Sequence, residues 1–391
     1  MSYYKSLGLI PPKRHTQFRQ HDGSLYHEEL MGLGGFADDS ALLYHINAPM
    51  PLRRVEATKG PEWSTRPNQP LMPYHLQTSL LDAPDADAVT GRRPLVANED
   101  LRISYVSATQ ESPIYRNAVG DECVFVQSGE ARFESVFGVL DIRAGDYVVI
   151  PAAVTHRWIP KGDTPFKTLV IETLSSGHVH PPERYLSPRG QFLEHAPYCE
   201  RDLRSPTELL VCEGTDVDVL LQTRDGWSTV TYVNHPFDVI GWDGSNYPYA
   251  VNIKDFEPIT GRIHQPPPVH QILEAPGAVI CAFVPRKLDY HPLSLPSPYA
   301  HSNVDSDELL FYMEGDFMSR SGAGMKEGSI TMHPAGFIHG SHPGALERSI
   351  GAQQTAEYAL MLDTFRPLYL AEGADACADQ DYAWSWTPKS D

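Results

Sequence analysis

A chain of 391 residues, 41% hydrophobic and 21% charged, is long enough for two cores of ordinary size. Its formal net charge of −19 argues against nucleic acid and anionic membranes, which both reward clustered Lys and Arg, so neither is expected as a partner. Five scattered cysteines without a C-x-x-C pair speak against a thiolate zinc site or a disulfide framework and for a reducing, cytoplasmic setting.

The N-terminal stretch MSYYKSLGLIPPKRHTQF lacks the apolar segment of a signal peptide, and no stretch approaches the ~18 apolar residues that span a bilayer. With 34 prolines and 29 glycines, the chain is expected to be mainly β, in short elements broken by turns. Residues 1–103 alternate polar, Pro-rich and short apolar pieces and predict an N-terminal arm with early strands laid over a core. From residue 104 to 175 the texture changes. Apolar runs at Cys123–Gln127, Ala131–Phe137, Tyr147–Ile150 and His156–Ile159, separated by glycines, predict a barrel. Residues 176–216 are polar and Pro-containing and are expected to connect this barrel to a second, over 217–367. The acidic tail, 368–391, is expected at the periphery.

The two β regions superpose as sequence. In the first, Glu122 is followed by six residues and Gly129, then by Gly145, Pro151, Ala153 and His156. In the second, Glu308, Gly315, Gly328, Pro334, Gly336 and His339 keep the same offsets within each half, with a shorter gap between halves. A repeat on this scale predicts two copies of one β-fold. Its pattern resembles the cupin motif, which implies a bicupin of two jelly-roll barrels.

Residues two apart on a strand point to one face, so the first and third motif positions aim inward together. In the first copy those positions are Tyr115 and Asn117, joined by Glu122 and His156, a poor set for a divalent metal, and this barrel is expected to bind none. In the second copy His301, Glu308 and His339 form a 2-His-1-carboxylate set beside Asn303. Such a set suits iron(II) and leaves positions open for both O₂ and an organic substrate. Asp307, next door, is the alternative carboxylate.

Four segments carry a narrower resemblance: VIGWDGSNYPYAVNIKDF, IHQPPPVHQIL, YAHSNVDSDELLFYMEG and SITMHPAGFIHGSHPG. Their order is similar to that of the homogentisate 1,2-dioxygenase family. The resemblance implies an Fe(2+) enzyme that cleaves a small aromatic substrate, homogentisate or a related substituted hydroquinone, with O₂. It implies His301, Glu308 and His339 as metal ligands, His264 as the catalytic base, and His333 beside the substrate. It also implies homotrimers that pair into hexamers, with the arm packed on a neighbour. Phe317 stands where the family has a substrate-contacting tyrosine, and Asp243 and Ala250 replace a histidine and a lysine, so homogentisate is expected to bind more weakly than at a tyrosine-bearing site, and a hydroquinone with a less charged substituent to lose less. A gentisate-type dioxygenase, an isomerase and a non-catalytic bicupin are the alternatives.

Overall fold

The apolar runs read between residues 122 and 161 become strands whose limits are set by turns. In the computed structural model, which describes residues 3–174, 177–260, 270–320 and 324–387, they span Glu122–Ser128, Glu130–Ser135, Gly138–Arg143, Asp146–Ile150 and Thr155–Lys161. The run expected over Ala131–Phe137 stops at Ser135. Gly138 follows with φ near 107°, and a Cβ there would lie 2.2 Å from the Glu208 carbonyl oxygen, so only glycine suits this hairpin. Glu122–Ser128 is central in its sheet, and residues 122 to 126 are buried on both faces. A strand covered on both faces has no reason to alternate, hence its unbroken apolar reading.

The described residues form four sheets in a mainly β, bicupin architecture. An eight-stranded and a seven-stranded sheet enclose the first barrel, and a six-stranded sheet carries the second motif copy. The motif register recurs between copies. Glu122 pairs with Ile150 on one neighbouring strand and Glu172 on the other; Glu308 pairs with His333 and Asp363. Tyr115 pairs with His156, and His301 with His339. Two scaffolds therefore present equivalent inward positions, and side chains decide what each one does. One buried apolar cluster runs through both barrels, joined where the Phe125 and Phe311 rings meet edge-on at 5.9 Å.

The sheets do not divide where the sequence suggested. Thr215–Thr223 and Gly226–Asn234, expected in the second barrel, extend the seven-stranded sheet, and Tyr249–Asn252 pairs with Asp146–Ile150. Conversely Tyr74–Gln77, from the expected arm, closes the six-stranded sheet against Ser329–His333. Leu52–Thr58 forms an exposed edge whose Arg53, Arg54 and Glu56 charges oppose pairing with another chain. Nor is the tail peripheral, because Leu368, Leu370, Ala374, Cys377 and Tyr382 are buried. Backbone pairing, which leaves no periodic trace in sequence, captured these segments. All five cysteines are free, and no helix among the described residues is long and apolar enough to cross a membrane.

The N-terminal strands pair within their own chain. Lys5–Gly8 and Ser40–His45 flank Val239–Gly244. Buried His45 bonds Asp238 through Nδ1 at 2.6 Å and Glu29 through Nε2 at 2.9 Å. Burial alone would lower this imidazole, but the two carboxylates outweigh it and raise it from 6.5 to about 9. A group raised on folding stabilises fully below its unfolded pKa and loses that contribution as pH rises through the folded one. Wild-type protein should therefore lose on the order of 3 kcal/mol between pH 6.5 and 9 from this site, while His45→Gln should show a flatter profile. Urea denaturation across that range, with parallel profiles for the two proteins, would contradict this.

Candidate metal centre

Along Asp307–Glu314 successive side chains face opposite sides. Asp307 is consumed on one side, where its carboxylate accepts from the Ala335 and Leu368 amides at 2.8 and 2.7 Å. Glu308 points the other way, into the barrel. Its Oε1 lies 2.9 Å from His333 Nδ1 and 3.5 Å from His339 Nε2, and its Oε2 lies 3.9 Å from His301 Nε2. Reciprocal backbone bonds at 2.8 and 2.9 Å hold His301 and His339 side by side. One donor atom from each of His301, Glu308 and His339 falls within 4.8 Å of the others.

The imidazoles are oriented for ligation. His301 Nδ1 donates to the Tyr299 carbonyl at 3.1 Å, and His339 Nδ1 to the Phe337 carbonyl at 3.0 Å, which leaves each Nε2 as a lone pair facing Glu308. The His339 Nε2 is buried and has no hydrogen-bond partner. Burial pushes the Glu308 carboxyl up, but the imidazoles of His301, His333 and His339 around it outweigh that and hold it well below the usual range. The neighbouring Glu308 carboxylate in turn raises His301. Two imidazole nitrogens and a carboxylate converge here, and this donor set fits a divalent transition metal.

A cavity of about 220 Å³ opens over His301 and Glu308. Phe283, Leu288, Leu310, Met318 and Met361 are among its apolar lining, and Asn303 and Asp363 flank the metal end. Asn303 Nδ2 donates to Asp363 Oδ1 at 3.1 Å, and burial, then the Glu308 charge, raises Asp363 to about 7. Arg286, Lys287, Arg320 and Tyr312 also line the cavity. Sequence reading missed the three cations, which sit in no motif, and passed over Tyr312 between Glu308 and Gly315.

His333 and Phe317, expected against the substrate, stand behind the wall and are not among the lining residues. His333 is fully buried, stacked on His339 at 4.1 Å between ring centroids, and supports Glu308. Phe317 packs edge-on against Tyr312 at 4.7 Å, and Tyr312 is the residue that lines the cavity. Asp243 binds Tyr4 and Arg14 of the N-terminal segment, and Ala250 lies buried on the strand paired with Asp146–Ile150. Neither is among the residues that line the cavity, where Arg286, Lys287 and Arg320 stand with Glu308, Glu357 and Asp363. His264 lies outside the described residues.

A family profile described as a cupin domain matches residues 104–172. A Saccharolobus solfataricus protein named "putative dioxygenase" is 37% identical over 390 residues, with 99% of each chain covered. A homogentisate 1,2-dioxygenase of Rhodopseudomonas palustris is 27% identical over 340 residues, covering 81% of this chain and 72% of that one. Among solved structures, a cupin 2 conserved barrel domain protein from Leptotrichia buccalis aligns over 75% of this chain and 96% of its own, at 11% identity and a TM-score of 0.34.

The profile covers Glu122 of the first motif copy, where the inward carboxylate is already engaged. Arg92 donates to both Glu122 oxygens at 3.0 and 2.8 Å and lies 3.6 Å from Glu172. Asn117 also donates to Glu122 at 3.0 Å. Burial raises both carboxyls, but Arg92 outweighs it at Glu122 and holds that group below its ordinary range, whereas burial prevails at Glu172. A guanidinium here does the electrostatic task that a metal would do in the other barrel. Arg92→Met should lower stability by about 3–5 kcal/mol in urea, because it strands a buried charge. Adding Glu122→Leu should restore part of that loss; an unchanged midpoint in the single variant would count against the pairing.

Proposed function

The chain belongs to the cupin dioxygenase family represented by the Saccharolobus solfataricus protein, and on that premise we propose that it is an iron(II)-dependent ring-cleaving dioxygenase. It inserts both atoms of O₂ into a dihydroxy-aromatic, homogentisate or a related substituted hydroquinone. The convergence of His301, Glu308 and His339 under an apolar-walled cavity carries this reading. The homogentisate 1,2-dioxygenase similarity over 81% of the chain supports the substrate class.

Iron(II), when bound, supplies Lewis acidity and an electron path for O₂ and a ring hydroxyl. The protein's part is positional and electrostatic. His301, Glu308 and His339 would hold the ion, with the cavity beside them for its other ligands. Glu308, ionised well into the acid range, is ready as an anionic ligand at neutral pH. The apolar walls hold a ring and limit water, which strengthens every charge interaction inside. Arg286, Lys287 and Arg320 suit a carboxylate arm on that ring, and this favours an aromatic acid over an uncharged hydroquinone. His264 is assigned as the base for the ring hydroxyl, on the resemblance of its IHQPPPVH segment, because a neutral imidazole accepts and returns a proton near pH 7.

Five free cysteines fit a reducing cytoplasm. A homotrimer or hexamer is supported by large apolar side chains exposed on the second barrel, Tyr290, Leu293, Val304 and Ile338 among them. Light scattering should give a mass of at least three chains, and a monomer at micromolar concentration would refute that assembly.

Anaerobic loading should give one iron per chain, lost in His339→Ala. Oxygen consumption should follow addition of homogentisate and be slower with uncharged hydroquinones. The His264→Gln variant should retain iron and turn over on the order of 10²–10⁴-fold more slowly. Two irons per chain, or no oxygen uptake with any hydroquinone or catechol, would overturn the reading.

A further inference from the structure

The C-terminal turn reaches the back of the metal centre. Tyr382 is buried, and its hydroxyl lies 3.0 Å from His333 Nε2. On the other side of the same ring, Nδ1 lies 2.9 Å from Glu308 Oε1. A carboxylate can only accept, so Nδ1 carries the proton and Nε2 accepts from the Tyr382 hydroxyl. Arg320 adds a longer contact to Nε2 at 3.4 Å. Arg320 can only donate, so Nε2 is the acceptor end of the ring and Nδ1 its donor end. Trp386 lies in the same turn and donates from Nε1 to the Gly340 carbonyl at 3.2 Å, next to His339, and stacks on His342 at 4.3 Å. The turn is tied down in its own right, since the Asp379 amide bonds the His75 carbonyl at 2.8 Å and its carboxylate meets His75 Nδ1 at 3.2 Å.

We propose that Tyr382 is a positioning residue for the metal centre, fixing the His333 tautomer so that Glu308 is oriented before a cation arrives. Trp386 does the same for the His339 segment through Gly340. This rests on the metal reading of His301, Glu308 and His339. Outer partners of metal ligands lower affinity when removed because the ligand must then be ordered at the moment of binding.

The test titrates cobalt(II) into metal-free full-length protein, following the visible bands, alongside the melting temperature of the metal-free form. Tyr382→Phe removes one hydroxyl from a buried ring. It should weaken cobalt(II) binding about 10- to 100-fold and shift the bands while the metal-free protein melts as wild type. Wild-type affinity and bands in Tyr382→Phe would overturn the proposal, as would a lowered melting temperature with affinity unchanged. Should that variant not fold, Trp386→Phe carries the same test through Gly340, and wild-type cobalt(II) affinity there overturns it. A wild-type chain that takes up no cobalt(II) sinks the metal reading and this inference together. Uptake by wild type matched in the variant sinks this inference alone.

Discussion

A carboxylate inside a barrel has to be compensated, and both barrels are organised around that need. Glu122 and Glu308 start equivalent strands and point inward at the same register, between strands that place a further carboxylate, Glu172 or Asp363, beside each. Two acidic groups in a low-dielectric space repel and lose hydration together, so each site recruits positive charge or hydrogen-bond donors. The first barrel uses Arg92, whose planar fork meets both oxygens of Glu122. The second uses imidazoles, which leave lone pairs turned toward a common point. One solution closes the site with a side chain, and the other leaves a donor set that a metal ion would complete.

That contrast also explains how the cavity is built. Where the first barrel fills its interior with Tyr115 stacked on Trp227 and edge-on to His156, the second keeps open space above the equivalent positions. Asp363, across from Glu308, is raised by burial and by that neighbour's charge, and it leans on Asn303 for a donor. Apolar residues line much of the remaining wall. The cations Arg286, Lys287 and Arg320 share that wall with Glu308, Glu357 and Asp363.

The motif was legible because it is local: fixed offsets from Glu308 to Gly315 and from Gly328 to His339 follow from one hairpin geometry repeated. The choice of Glu308 over Asp307 needed strand direction, which the backbone bonds to Ala335 and Leu368 decide. Arg92 lies 30 residues from Glu122, and Tyr382 lies 49 from His333, and such pairs leave no periodic signature. Strand membership was misread for the same reason. Thr215–Thr223 looks like any amphipathic strand, and only its parallel pairing with Tyr115–Asn117 assigns it to the first barrel. Asp243 read as a substrate-site departure, yet its carboxylate binds Arg14 and Tyr4, more than 200 residues away in sequence.

The crossing of strands between barrels has a temporal side. The eight-stranded sheet around the first motif copy takes Tyr249–Asn252 and Tyr369–Ala371, and the six-stranded sheet waits for Tyr358–Thr364. A ribosome delivers these segments in order, from the N-terminus. The first barrel therefore cannot finish its sheet while the second is being synthesised, and exposed strand edges persist until nearly the whole chain has emerged. A cut between the halves would strip each sheet of strands that the other part of the chain supplies. Selection on one barrel's sequence is bound to the other's, although only one of them carries the triad.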